Sequence, residues 1–165
     1  EGRHADPNVF VQMDTYAVKG LQPGQIQFLY APTHLNPTYE YGVTFERGTA
    51  VTYGDRKQIF ISGTASIDNK GEIVYPGDIL KQAERMLENI DVLLQEAGAG
   101  LQDIMQAIVY LRDPADYVVV KQYIESRYPS FPHLIVHAPV CRPGWLIETE
   151  CIAVVPADEP QYACL

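Results

Sequence analysis

Pro76-Gly-Asp-Ile-Leu-Lys-Gln-Ala-Glu-Arg-Met-Leu-Glu-Asn-Ile-Asp-Val-Leu-Leu-Gln-Glu-Ala-Gly-Ala-Gly100 is the stretch on which the fold turns. Asp78 stands where a helix N-cap belongs, and Gly98 and Gly100 stand where a helix stops. Between them Leu80, Ala83, Met86, Leu87, Ile90, Leu93, Leu94 and Ala97 recur at spacings of three and four, with Lys81, Glu84, Arg85, Glu88 and Glu96 falling elsewhere. The spacing predicts a long amphipathic helix with one broad apolar face, and a sheet is the natural partner for such a face.

Strands are expected on both sides of it. Upstream, Val43 and Phe45 and then Ala50, Val51 and Tyr53 flank Arg47-Gly48, which reads as a hairpin turning at Glu46–Gly48. Lys57–Ser62 is a further short strand, running into Gly63-Thr64-Ala65-Ser66, and Asp68-Asn69-Lys70-Gly71 is a turn. Downstream, Ile104–Leu111 reads as a buried strand, Pro114-Ala115-Asp116 opens a second helix to about Tyr128, and Leu134–Ala138 and Trp145–Val155 are the closing strands. The expected class is α+β, a mixed sheet with two helices on one face. Residues 1–40, with Pro7, Pro23, Pro32 and Pro37, form an irregular extension whose strand-like run is Gln25–Tyr30; 41–156 form the domain and 157–165 a tail. The sheet face without helices is then free to pack on a second copy of the chain.

Composition narrows the function. The 165 residues are 47% apolar and 20% charged, as in a globular domain. A net charge of −9 repels a nucleic-acid partner over most of the surface. No run approaches the roughly 18 apolar residues of a membrane span, and no signal peptide is visible. Cys141, Cys151 and Cys164 are odd in number and form no CxxC, which speaks for a reducing, cytoplasmic compartment. Glu1 in place of Met reads as a processed or trimmed start.

No phosphate loop or dinucleotide fingerprint occurs, so no cofactor is expected. His133, His137 and Cys141 are spaced by four, but four residues of strand span roughly 13 Å, too far for one metal ion. The paired carboxylates are more informative. Alternation along Ile147-Glu-Thr-Glu-Cys-Ile-Ala-Val154 puts Glu148 and Glu150 on one strand face and Ile147, Thr149 and Cys151 on the other. Acids in an apolar strand suit general acid-base work, or else pair structurally with Arg142 or Lys57. Arg142, at a bend before Pro143-Gly144, suits bidentate capture of a carboxylate, or else is an ordinary solvent-exposed turn arginine. Cys141 beside it is read either as an activated thiol or, more simply, as a buried one. Gly63 and Thr64 end a strand with small residues and allow close backbone approach to a ligand.

Taken in order, Ile59-Phe-Ile-Ser-Gly-Thr-Ala65, the Pro76-Gly-Asp helix with Gln82 and Asn89, Val109-Tyr-Leu-Arg-Asp-Pro114, Tyr128-Pro129, Phe131-Pro132 and Ile147-Glu-Thr-Glu-Cys-Ile-Ala153 resemble the Rid/YjgF family, also called endoribonuclease L-PSP or translation initiation inhibitor. The resemblance implies a chorismate-mutase-like homotrimer with ligand clefts between subunits, and imine hydrolysis on small carboxylated metabolites. It places Glu148 at the family's water-positioning glutamate and Gly63 at its backbone-contact glycine. The family's carboxylate-binding arginine falls at Leu134 and its cysteine at Val136, so the usual anchor is absent. Val140-Cys-Arg-Pro-Gly-Trp-Leu-Ile-Glu148 and Tyr41-Gly42 through Phe45-Glu-Arg-Gly48 look more like the carboxy-terminal half of chorismatases, which hydrolyse an enolpyruvyl ether and carry a further amino-terminal half. The expectation is a hydrolase or lyase with Glu148 catalytic and Arg142, Gly63, Thr64, Cys141 and Glu150 around the substrate. A non-catalytic binding trimer and an endoribonuclease are the alternatives.

Overall fold

The computed structural model describes residues 6–10, 13 and 15–164; Glu1, with the start read there, and the rest of the extreme amino terminus lie outside them, as does the last residue of the tail. Six strands form one sheet in the order β1-β2-β3-β6-β4-β5. They are β1 (Ile26–Leu29), β2 (Gly48–Thr52), β3 (Arg56–Ala65), β4 (Ile104–Leu111), β5 (His133–His137) and β6 (Ile147–Pro156). Only β4 and β5 pair in parallel, across α2 (Tyr117–Arg127), and β6 runs antiparallel between β3 and β4. The α+β class, a mixed sheet with two helices, is what the chain adopts.

The long helix is α1 (Ile79–Glu96), and the Asp78 carboxylate accepts from Lys81 N at 3.0 Å as an N-cap should. Ala83, Met86, Leu87, Ile90, Leu93 and Leu94 are buried against the sheet, over β3 and β6. Two polar residues share that buried face, Gln82 and Asn89, both with no exposed surface. α2 lies beside α1 and sends Val120 and Ile124 into the same core. Along β6 the expected alternation holds: Ile147, Thr149, Cys151 and Ala153 are buried under α1, and Glu148, Glu150 and Ile152 face the other side.

One expected element is displaced. Val43–Arg47 forms no strand, and the hairpin runs instead between β2 and β3 around Tyr53–Asp55. Two contacts explain this. Gly48 lies in a strand, not a turn, and is glycine for close packing: a Cβ there would stand 2.9 Å from Ile61 Cδ1 and 3.0 Å from Leu29 Cδ1. Arg47 is buried and bonded to Asn36, its Nη2 donating to the backbone oxygen at 2.9 Å and to Oδ1 at 3.0 Å, so segment 43–47 leaves the sheet to meet the amino-terminal segment. The short strand expected in that extension is β1, which edges the sheet beside β2.

Candidate functional site

The pairing of β3 with β6 slips by one residue between Ile61 and Thr64. Three steps along β3 there match two along β6, which is a β-bulge at Ser62-Gly63. The bulge is stitched from above: Ser62 N donates to Arg47 O at 3.1 Å and Ser62 Oγ to Glu46 O at 2.6 Å. Gly63 thereby leaves a notch, and Glu148 fills it. A Cβ on Gly63 would overlap Glu148 Oε1. The glycine is required for the carboxylate to lie where it does, since any larger residue would displace it.

Glu148 and Gly63 form the floor of a cavity of about 510 Å³. One wall is Val43, Phe45 and Arg47 from the segment that left the sheet; the opposite wall is Cys141, Arg142 and Trp145 from the loop between β5 and β6. Each arginine lies against an aromatic ring, Arg47 Cζ 5.4 Å from the Phe45 centroid and Arg142 Cζ 5.1 Å from that of Trp145. Arg142 Nη1 also donates to Gly71 O at 3.0 Å. The arrangement sets Arg142 and two aromatic side chains around one carboxylate, with Arg47 buried in the wall and its guanidinium bonded to Asn36. Chemically it can hold a small anion with an unsaturated or ring-shaped body and move a proton at Glu148.

Buried amides on α1 hold the chain beyond the bulge and the 141–146 wall. Asn89 Nδ2 donates to Ala65 O and Ile67 O, each at 3.0 Å, fixing the chain that leaves the bulge. Two turns earlier, Gln82 Nε2 donates to Gly144 O at 3.1 Å and its Oε1 accepts from Leu146 N at 3.0 Å, fixing the Arg142 loop.

The structure thus brings four of the six expected site residues, Glu148, Gly63, Cys141 and Arg142, onto one cavity. Glu150 lines a smaller hollow of about 150 Å³ that shares Gly63, Cys141 and Glu148 and adds Tyr110. Thr64 is 1% exposed and turned into the core side, its Oγ1 donating to Ser62 O at 2.9 Å. The simple expectation that Cys141 is buried is corrected: Val140 takes the inward position, and Cys141 is exposed. The structural pairing of Lys57 with the glutamates is not formed either, because Lys57 Nζ donates to Ala97 O at 2.8 Å at the end of α1. Leu134 is 62% exposed on the edge strand β5, apart from the cavity lining. Arg47, Phe45 and Trp145 line the site too; the sequence offered them only within the stretches that resemble chorismatases, not as site residues. An arginine and an aromatic ring bracketing an expected turn were the available signal.

A family model described as endoribonuclease L-PSP matches residues 48–155. A RutC family protein of Pyrococcus abyssi is 39% identical over 98 residues, 58% of this chain and 76% of the relative. The 3-aminoacrylate deaminase RutC of Acinetobacter baylyi is 30% identical over 99 residues, 59% and 79% of the two chains. A 3-hydroxybenzoate synthase of Streptomyces hygroscopicus is 29% identical over 131 residues, 69% of this chain but 38% of that one. Among solved structures, a chorismatase superposes with a TM-score of 0.70 at 24% identity, covering 79% of this chain and 44% of the other.

Proposed function

The chain belongs to the endoribonuclease L-PSP (Rid/YjgF) family, and from that premise we propose that it is a hydrolase of the chorismatase type, cleaving an enolpyruvyl ether on a small cyclic carboxylate. The observation that carries this reading is the seating of Glu148 in the Gly63 notch of a cavity whose wall carries Arg142. The position of the usual family arginine is Leu134, which favours an anion grip built from the 140–146 loop over the one used in imine hydrolysis. The alignment with the 3-hydroxybenzoate synthase, a protein named for a ring carboxylate, is longer than that with the deaminase and supports a small cyclic carboxylate as ligand.

The chemistry follows from the residues. Arg142 holds a substrate carboxylate, with Phe45 and Trp145 against the body of the ligand. Protonated Glu148 delivers its proton to the terminal carbon of the enol ether. Water adds to the resulting oxocarbenium carbon and returns a proton to Glu148. The hemiketal then collapses to pyruvate and the ring alcohol, so one water is consumed and no redox partner is needed. The working unit in this reading is a homotrimer packed through the helix-free sheet face, with each cavity at a subunit boundary.

The test is pyruvate release from chorismate, with 2-iminopropionate and RNA as comparators. Glu148→Gln is expected to lower kcat by about 10²–10⁴-fold, the usual loss of a positioned acid, while the oligomer is unchanged. Turnover of the imine alone would select deaminase chemistry. A thermal shift with chorismate but no turnover would select a metabolite-binding protein. Salt-sensitive RNA cleavage, disfavoured by the charge of −9, would select the nuclease.

A further inference from the structure

The Val140–Leu146 loop carries Cys141, Arg142 and Trp145, yet it has no regular secondary structure of its own. A loop with so few internal bonds needs an external template to hold one geometry. It has one in Arg112, the residue that follows β4. Arg112 Nε donates to Trp145 O at 2.7 Å, and Nη2 donates to Val140 O at 2.5 Å and to Arg142 O at 2.7 Å. Its backbone N donates to Leu146 O at 3.0 Å. Across the loop, Trp145 N closes on Arg142 O at 3.0 Å, and Gln82 takes Gly144 O and Leu146 N from the helix side.

Among the described residues Arg112 forms no ion pair; its charge is directed wholly at carbonyl oxygens. That is an unusual use for a cation. A planar fork can bind three divergent carbonyls at once, and a lysine, with a single compact ammonium, cannot reproduce it. The three carbonyls belong to residues on both sides of the Arg142 turn, so the guanidinium fixes where Arg142 and the Trp145 ring stand relative to Glu148.

We propose that Arg112 is a positioning residue, seconded by Gln82, that templates the 140–146 loop and so sets the distance between the carboxylate-holding Arg142 and Glu148. The proposal rests on the functional reading above only for its consequence in turnover; the templating itself is independent of it. Arg112 has no direct contact with the ligand and acts through Arg142 and Trp145.

Trp145 is the chain's one tryptophan, so its emission reports on this loop alone. In Arg112→Met, which keeps most of the aliphatic stem, the emission is expected to shift to the red. The acrylamide quenching constant should rise about twofold or more, as for a locally opened segment, with the far-UV spectrum unchanged. If that variant does not fold, Arg112→Lys is read in its place, since it keeps charge and stem but loses the fork. With chorismate as substrate, Arg112→Lys is expected to raise KM about tenfold or more with kcat changed far less, as loss of uniform binding does. Glu148→Gln should do the reverse and leave the emission in place. Emission and quenching equal to wild type in the folded variant overturn the proposal, whatever turnover does. A shifted emission in a protein that does not turn over chorismate upholds the templating and removes the hydrolase reading.

Discussion

At the scale of single residues the site depends on one missing methyl group. Gly63 does not occupy a left-handed conformation, so its backbone accepts alanine; the conflict of a Cβ is with Glu148 Oε1, the end of a side chain that can swing away. Gly63→Ala should therefore fold normally yet lose about 10²-fold in turnover, the usual cost of moving a catalytic group by an ångström or so. Unchanged turnover would mean that Glu148 does not act from the notch. Below it, the Cys151 thiol is pushed up from 9.0 to about 12 by burial and by the neighbouring Glu150 charge. It is a packing group, not a nucleophile. Because the folded chain retains this proton where the unfolded chain has lost it, the contribution is complete below pH 9 and disappears as pH rises toward 12. Urea unfolding should show Cys151→Ala losing less stability than wild type between pH 8 and 11, by about 2–3 kcal/mol, since the unfolded thiol ionises over about two pH units of that window and each is worth about 1.4 kcal/mol. Parallel curves would refute the assignment.

At the scale of elements, α1 was legible because its buried stripe has a period that a helix alone satisfies, and β6 because its alternation places acids on one face. The hairpin at 43–48 was not legible. Its alternation of apolar residues is real, but Arg47 is captured by Asn36, eleven residues upstream, and no local pattern reports a long-range hydrogen bond. For the same reason Arg142 could be singled out from its bend, whereas Arg112, whose partners lie some thirty residues onward, could not. Gln82 and Asn89 show the intermediate case: as polar residues on an apolar stripe they mark α1 as doing more than packing. Asn89→Leu removes one of two donors from each of Ala65 O and Ile67 O, leaving Ile67 N on the first and Arg85 Nε on the second, and should cost about 1–2 kcal/mol in urea unfolding, as for two lost hydrogen bonds without an orphaned acceptor. A loss under about 0.5 kcal/mol would show that the remaining donors suffice and that the helix amide does not hold the chain leaving the bulge.

At the scale of the whole molecule, the helices cover one side of the sheet and leave the other with an apolar centre. Phe60, Ile108 and Ile152, from three adjacent strands, line one shallow hollow there, half-exposed, with Glu150 at its margin. Tyr16 of the amino-terminal segment crosses part of it, 5.6 Å from the Phe60 ring. A contiguous apolar area in the middle of a sheet is a poor surface for water, and association of copies through it is the simplest way to remove it. The same face carries Glu148 and Glu150, so subunits meeting there would also close the hollow beside Tyr110 and bring the Glu148 carboxylate to the boundary. A lysine at Ile152, in the central strand, would place a charge where the copies meet without touching the core beneath α1. Sedimentation of wild type should give about three times 18.5 kDa. Ile152→Lys should sediment as a folded species of 18.5 kDa, with chorismate turnover lost, because each cavity then lacks its second side. A monomeric variant that kept full activity would mean that one chain alone completes the site. A wild type that sediments as a monomer would remove the trimer and leave Tyr16 as the cover seen on that face among the described residues.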